Sequence, residues 1–292
     1  MQDPSATGLF SYSQLHMGVR VNLRLYAPDQ GTAEHAAIAA YTRYAELEQV
    51  FSDYRADSEL MLLCKRAGSG PVTVSRELFD VLARAQELAE KSDGAFDVTA
   101  SPIIRLWREA RRSKAMPATA DLASALRLVG WQKMKLNARG QFVDLALPGM
   151  FLDLGGIAKG YANDDALAVL RSNGVERAMI QAGGDIGVSI SPPNTLGWTV
   201  RVAGRSDALY LSNASIATSG DTEQFLEIDG VRYSHVVDPR TGLGVTNRIQ
   251  ATVIAAKGID SDPLATMLTV MGEDGRRLAS DHAATVLLST KL

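Results

Sequence analysis

Apolar residues recur along the first part of the chain with two different periods. Residues 17–26 alternate between apolar and polar side chains, which predicts a strand. Residues 32–50 repeat apolar side chains every three or four positions, which predicts a helix. The helical period returns at 75–91, with Ser75 at the N-cap position and Gly94 beyond the end. Shorter helices are predicted at 103–112 and 121–129, with a surface loop at 114–120 between them.

The second half of the chain changes to short apolar runs typical of strands. A helix is predicted at 160–173, and the strand that follows breaks at the glycine pair 183–184. Five strand-like runs lie between 197 and 256, with a tight hairpin at the Asp-Gly pair 229–230. A helix beginning near Pro263 and a strand ATVLLS complete the chain. The mixture predicts an α+β fold of mixed and antiparallel sheets with flanking helices.

Composition narrows the class of protein. The length of 292 residues suits one large domain or two lobes packed together, and the hydrophobic content of 46% is that of a globular protein. A net charge of −3 gives no indication of nucleic-acid binding. One cysteine, Cys64, excludes an internal disulfide and a thiolate metal cluster.

No apolar run reaches the ~18 residues of a membrane helix, so no transmembrane segment is predicted. The first residues, MQDPSATGLFSYSQ, have neither a basic region nor an apolar core of a signal peptide. Two interpretations stay open: a protein of the periplasm or cell envelope whose leader was removed, which we favour, or a cytoplasmic protein.

The segment FLDLGGIAKGYAND at 151–164 places Lys159 among three glycines where a helix begins. Such a turn suggests phosphate binding, but its glycine spacing is not that of a P-loop. Further along, Asp262 precedes Pro263, which predicts an N-cap and the first helical residue. Thr266 lies one turn further on the same face. A carboxylate and a hydroxyl suit Mg²⁺, although a cap and a packing residue would give the same pattern.

Three other segments have candidate polar residues. His235 ends a strand just before the turn DPRTG, where it could act as a general base or simply close the strand. Thr218 and Ser219 precede a glycine, which suits a polar or anionic ligand or an ordinary polar turn. Asp97 lies in a turn after a helix, and Tyr54 offers a stacking surface.

Together, the ordered motifs resemble those of the ApbE family, the FAD:protein FMN transferases, over nearly the whole chain. They are MG at 17–18, FSDYRADSE at 51–59, GAFDVTASPIIRLW at 94–107, LDLGGIAKGYA at 152–162, IQAGGDI at 180–186, IATSGD at 216–221, SHVVDPRTG at 234–242 and DPLATMLTVMG at 262–272. The resemblance implies a T-fold-like, two-lobed single domain at 17–292 after an N-terminal extension at 1–16.

The resemblance also implies site residues. Asp153 and Lys159 would contact FAD, and the carbonyl of Gly156 with Asp262 and Thr266 would hold Mg²⁺. Thr218 and Ser219 are further candidates for binding the nucleotide. The remaining residues implied to line the flavin nucleotide are Met17, Tyr54, Ala95, Phe96, Asp97 and Val236.

The implied reaction is phosphoryl transfer. FAD is split, AMP leaves, and FMN passes to a threonine hydroxyl of a target protein with a Ser/Thr-Gly-Ala-Thr type sequence, with His235 as base. Two alternatives stay open: hydrolysis of FAD to FMN and AMP by the same site, and FAD binding without turnover.

Overall fold

The computed structural model describes residues 8–221 and 224–290, which form eight α-helices and sixteen strands. The helices are α1 (Gln30–Phe51), α2 (Glu59–Lys65), α3 (Arg76–Lys91), α4 (Ser101–Ser113), α5 (Thr119–Leu126), α6 (Ala158–Ser172), α7 (Gly258–Met271) and α8 (Arg276–Asp281). The strands are β1 (Gly8–His16), β2 (Val19–Ala27), β3 (Val72–Thr73), β4 (Met134–Asn137), β5 (Phe142–Leu145), β6 (Arg177–Ala182), β7 (Asp185–Val188), β8 (Trp198–Arg201), β9 (Ala208–Leu211), β10 (Ala214–Ser219), β11 (Phe225–Ile228), β12 (Val231–Ser234), β13 (Val237–Asp238), β14 (Leu243–Gly244), β15 (Ile249–Ala255) and β16 (Thr285–Thr290).

A seven-stranded antiparallel sheet, in the order β1-β2-β6-β7-β10-β15-β16, is the centre of the fold. Alternate residues of β2, from Val21 to Ala27, are buried on one face because side chains of a strand point to opposite sides. Helices α1, α6 and α7 cover that face and share its core with α3. The ribbon β8-β9 packs on the other face.

A smaller apolar cluster lies beside the main core and forms a second lobe. It joins α4 and α5 to the ribbons β11-β12 and β13-β14 through buried side chains such as Ile103, Leu226 and Val237. The indole of Trp107 on α4 donates a hydrogen bond of 2.8 Å to the carbonyl of Gly242 between β13 and β14. This bond ties the helix to the segment that follows His235. The α+β, two-lobed architecture predicted from the sequence is confirmed.

Several predicted elements are confirmed, with shifts at their ends. The helices predicted at 32–50, 75–91 and 160–173 correspond to α1, α3 and α6. The Ser75 hydroxyl accepts the N–H of Leu78, as an N-cap does. The loop predicted at 114–120 is shorter, because α5 begins at Thr119.

Three predictions about strands are changed by long-range pairing. Residues 8–16 of the predicted N-terminal extension form β1, which pairs with β2 along its whole length. The polar turn considered at Thr218 and Ser219, within 214–225, is instead the end of strand β10, which is paired on both sides. The run VRYSHVV is divided into β12 and β13, with His235 between them. Residues 1–7, 222–223 and 291–292, which belong to predicted segments, lie outside the described residues.

The prediction that Asp262 caps a helix is wrong. Helix α7 begins four residues earlier, at Gly258, so Asp262 and Pro263 lie inside it. The reason is a cap supplied from another helix: the Asp164 carboxylate on α6 accepts the backbone N–H groups of Gly258 at 2.7 Å and Ile259 at 3.0 Å. These are two of the donors that a helix start leaves without partners. Thr266 still lies one turn beyond Asp262.

Helices α6 and α7 cross with their backbones in contact at two glycines. A Cβ atom on Gly160 would overlap the carbonyl of Gly258, and one on Gly258 would overlap the carbonyl of Gly160. Only glycine leaves room for this crossing. The backbone N–H of Gly160 also donates to the Asp262 carboxylate at 3.1 Å, so the same contact aligns the two helices.

No helix in the described part of the chain has the length and apolar character needed to span a membrane.

Replacing Gly160 by alanine should force α6 and α7 apart, because the new methyl group meets backbone rather than a flexible side chain. We expect a loss of about 3 kcal/mol or more in the free energy of unfolding. Gly31→Ala is the matched control, since a Cβ on this helical glycine approaches only the Asp29 side chain. Urea unfolding should leave the control unchanged or slightly stabilised. Equal stability of the two variants would contradict the crossing.

Candidate active site

The ammonium group of Lys159 is at the centre of a buried polar cluster beside the glycine crossing. Its Nζ lies 3.0 Å from the carboxylate of Asp185 and 3.5 Å from that of Asp262. It also donates to the carbonyl of Gly155 at 2.8 Å. Lys159 comes from α6, Asp262 from α7 and Asp185 from the start of β7. Three elements distant in sequence thus meet at one ammonium group.

The cluster contains two carboxyl groups and one ammonium group. Asp185 is 3% exposed and Asp262 is 4% exposed, so little water screens either carboxylate. Burial raises the pKa of Asp185, the charge of Asp262 raises it further, and Lys159 opposes both effects. Burial opposes a charge on Lys159, but the two carboxylates outweigh burial and raise its pKa. When both carboxyl groups are ionised they outnumber the single ammonium group, so the cluster then attracts an additional cation.

The oxygen donors beside this cluster fit a hard divalent cation. A Cβ on Gly156 would lie 3.0 Å from the Thr266 hydroxyl, so the backbone of Gly156 faces that side chain. Asp262 is one helical turn away from Thr266. A carboxylate, a hydroxyl and a backbone carbonyl are all ligands that Mg²⁺ accepts. Because no group of three His, Cys, Asp or Glu side chains suited to a metal occurs among residues 8–221 and 224–290, backbone, hydroxyl or substrate oxygens would complete the coordination.

A second charged cluster forms around Arg108 of α4. Its guanidinium donates to Asp53 at 2.5 Å and to Asp153 at 2.6 Å. It also lies 4.8 Å from the centroid of the Tyr54 ring, in cation–π contact. Tyr54 itself is 79% exposed and offers its other face to a ligand. Arg108 is not among the residues predicted from the sequence, and it stands one residue beyond the matched segment at 94–107.

Asp153 links the two clusters. One carboxylate oxygen accepts the N–H of Gly155 at 2.8 Å, and the other accepts from Arg108. Its own N–H donates to the carbonyl of Val98. Burial and the neighbouring Asp53 raise the pKa of Asp153, whereas Arg108 lowers it. Asp153 therefore connects the glycine turn that leads into α6 to Arg108 through its side chain and to Val98 through its backbone.

The segment 95–97 lies behind this turn. Ala95 and Phe96 are buried, and the Phe96 ring would be 3.3 Å from a Cβ on Gly156. Asp97 accepts bonds from the N–H and the hydroxyl of Thr99, so it caps the short helical turn that begins at Val98. Burial raises the pKa of Asp97. In this structure Asp97 has a structural role that the sequence analysis did not foresee.

Two further predicted positions approach the site from the sheet. Thr218 on β10 donates its backbone N–H to the carbonyl of Gly184, next to Asp185, while its hydroxyl bonds that of Thr252 at 2.9 Å. Ser219 follows, half-buried, at the end of the strand. Met17 occupies the β1–β2 turn with a positive φ of 50°. That turn reaches the glycine pair before β7, since a Cβ on Gly183 would contact Val19.

His235 lies between β12 and β13 with its tautomer determined by one bond. Its Nδ1 is 3.1 Å from the carbonyl of Gln224, which can only accept, so Nδ1 has the proton and Nε2 has a free lone pair. Burial lowers the pKa of His235; the Gln224 bond opposes this, and the charges of Arg111 and Lys159 lower it further. Val236 beside it is buried. The imidazole is therefore neutral near pH 7 and able to accept a proton.

Cys64 has no chemical role in this arrangement. It is buried, and burial raises the pKa of its thiol to about 11. Its sulfur accepts the N–H of Leu152, which leads into the glycine turn. The thiol therefore supports the backbone behind the site.

Comparison with known proteins finds relatives over most of the chain. The model of the ApbE family matches residues 17–288. A "FAD:protein FMN transferase" of Klebsiella pneumoniae is 35% identical over 273 residues, covering 90% of this chain and 83% of the relative. A protein of the same name from Treponema pallidum is 34% identical over 285 residues, covering 90% and 79%.

Solved structures show the same fold. The flavin transferase ApbE of Vibrio cholerae superposes with a TM-score of 0.87 at 29% identity, covering 98% of this chain and 95% of the other. The ApbE protein of Thermotoga maritima gives a TM-score of 0.85 at 28% identity, covering 96% and 94%. From the match over residues 17–288 and the relatives more than 30% identical, the chain belongs to the ApbE family.

Proposed function

We propose that this chain transfers FMN from FAD to a hydroxyl group of a target protein and releases AMP. The observation that most supports this function is that one family member has both a histidine with an unprotonated Nε2 and a buried cluster of one lysine and two aspartates. Relatives up to 35% identical have the name of this activity. The family resemblance further implies a target with a Ser/Thr-Gly-Ala-Thr type sequence. We favour a reaction in the periplasm or cell envelope, with the cytoplasm as the alternative.

In this proposal the two charged clusters bind different parts of FAD. Lys159 is the cation available to the phosphates, and Tyr54 stacks on a ring of the nucleotide with its exposed face. Asp153, held by Arg108, accepts hydrogen bonds from the dinucleotide. The other proposed lining residues are Met17, Ala95, Phe96, Asp97, Thr218, Ser219 and Val236.

Asp262, Thr266 and the carbonyl of Gly156 are the proposed ligands of Mg²⁺. When bound there, the ion would neutralise phosphate charge that otherwise repels an incoming oxygen. Asp262 supplies the charged ligand, and its bond from the N–H of Gly160 holds the carboxylate in place.

The transfer step requires a base for the target hydroxyl. The threonine oxygen forms a bond to the flavin-side phosphorus, the bridging P–O bond breaks, and AMP leaves with the bonding electrons. The hydroxyl proton passes to Nε2 of His235, whose lowered pKa keeps that nitrogen unprotonated near pH 7. Water in place of the threonine would give FMN and AMP by the same step.

One incubation separates the possible outcomes. The protein is mixed with FAD, Mg²⁺ and a target with the threonine motif, and the target is analysed by mass spectrometry. We expect covalent FMN on the target and AMP in solution. Free FMN with AMP and an unmodified target would indicate a pyrophosphatase, and unchanged FAD would indicate a binding protein.

Replacing His235 by alanine should lower the transfer rate by ~10²–10⁴ and leave FAD affinity nearly unchanged, because a base acts on the acceptor. The wild-type rate should rise as the pH increases through the pKa of His235, because the base must be neutral. Since that pKa is lowered, the rate should reach its plateau before the pH rises to ~6.5. This acidic limb should be absent from the variant. His35→Gln, at an exposed position on α1, is the control. A limb that persists in His235→Ala would reject the assignment.

Asp262→Asn should slow turnover, because the charged metal ligand is lost. We expect the activation free energy to rise by about 3–4 kcal/mol. The fold should persist, since Lys159 keeps its pair with Asp185 and the amide oxygen can still accept from Gly160. Turnover at increasing Mg²⁺ and thermal melting measure the two effects. Near-normal Mg²⁺-dependent turnover would remove Asp262 from the metal site.

Arg108→Lys keeps the charge but cannot bridge two carboxylates with a planar fork. We expect FAD affinity to fall roughly tenfold, with a smaller change in kcat, because Asp153 and Tyr54 lose their shared support. Arg76→Lys, in an exposed pair with Asp80, should change neither quantity. Calorimetry with FAD compares them, and an unaffected affinity in Arg108→Lys would contradict this role.

A further inference from the structure

The fold alone does not account for the side chain of Asp185. Its carboxylate is buried at the start of β7. Within the described part of the chain, the polar group that contacts this carboxylate is the ammonium group of Lys159, at 3.0 Å. Burying a carboxylate is costly unless it is paired. The charge is therefore to be explained by the site it faces.

The position of Asp185 is rigid. Its backbone pairs with Ala182 in β6 and with Ala217 in β10. The side-chain amide of Asn163 donates to its carbonyl at 3.2 Å, and the carbonyl oxygen of that amide accepts from the buried hydroxyl of Tyr44. With supports on both sides, the carboxylate is a stationary anchor for whatever it binds.

The flexible partner is Lys159, which has two carboxylates within reach. Nζ lies closer to Asp185, at 3.0 Å, than to Asp262, at 3.5 Å. Asp262 meanwhile accepts a backbone N–H from Gly160. The ammonium group is thus drawn toward Asp185 and leaves Asp262 only partly neutralised.

We propose that Asp185 is a positioning residue that holds the Lys159 ammonium group away from Asp262, so that Asp262 can bind a divalent cation. This inference rests on the metal site of the proposed function. Without the anchor, Asp262, now 3.5 Å from Nζ, would be the carboxylate left to pair with Lys159, and a divalent cation would have to displace the ammonium group from its ligand. With the anchor, lysine and metal ion each have one carboxylate.

The proposal predicts an order of cation affinities that is measured without FAD or turnover. Calorimetric titration with Mn²⁺, and separately with Mg²⁺, should show binding at least roughly tenfold weaker in Asp185→Asn than in the wild type. The double variant Asp185→Asn/Lys159→Met should bind as tightly as the wild type or tighter, because no ammonium group remains to occupy Asp262. A residue needed only for folding would not be rescued by removing Lys159.

Asp165→Asn is the control for loss of one negative charge. The Asp165 carboxylate lies on α6, the helix of Lys159, but it pairs with Arg43 at 2.6 Å outside the cluster. The Asp165→Asn protein should bind the cations with the same affinity as the wild type. Thermal melting of all variants, without metal, establishes that the folded proteins are compared.

Two results would overturn the proposal: wild-type cation affinity in Asp185→Asn, or weak binding that persists in the folded double variant. The second result would mean that Asp185 is itself a ligand. The transfer assay is independent of these titrations. If the cation affinities follow the expected order but no FMN is transferred, only the proposed function is rejected. If FMN is transferred but the affinities follow a different order, only this inference is rejected.

Discussion

The backbone contact between Gly160 and Gly258 is the constraint on which the site depends. Two helices that touch without side chains between them bring the first turn of α6 within reach of the second turn of α7. Lys159 and Asp262 become neighbours for this reason, although about a hundred residues separate them. Asp164 secures the crossing by capping α7 from α6. A change of either glycine would therefore alter both stability and the arrangement of Lys159 and Asp262, because one contact determines both.

Charge balance gives the two clusters around this crossing different properties. Arg108 bridges Asp53 and Asp153 with a planar guanidinium that can bond both carboxylates at once. Lys159 has a compact ammonium group that lies nearer one carboxylate than the other. The arginine cluster is consequently a fixed support for the glycine turn. In the lysine cluster, Asp262 is the carboxylate that lies farther from the ammonium group.

Helix α4 connects the two lobes at the site. Trp107 faces the ribbon β13-β14, next to the segment with His235, and Arg108 faces the turn that leads into α6. The proposed base thus lies beside the smaller apolar cluster, and the proposed cation ligands lie beside the main core. Helix α4 joins these two parts of the molecule. Under the proposed function, the smaller lobe would present His235 to an acceptor while the larger lobe would hold the nucleotide.

The sequence by itself determined the helices with strong apolar periodicity, the α+β class, the family and most of the candidate residues, because these depend on local spacing and on motifs. It did not locate the start of α7, which is set by a carboxylate 94 residues away. Nor did it identify Arg108 or the role of Asp185, although Asp185 belongs to a matched motif. The tautomer of His235 also required the structure, since a carbonyl 11 positions earlier decides it. Capping, ion pairing and tautomer choice depend on which groups meet in space, and only the tertiary fold brings those groups together.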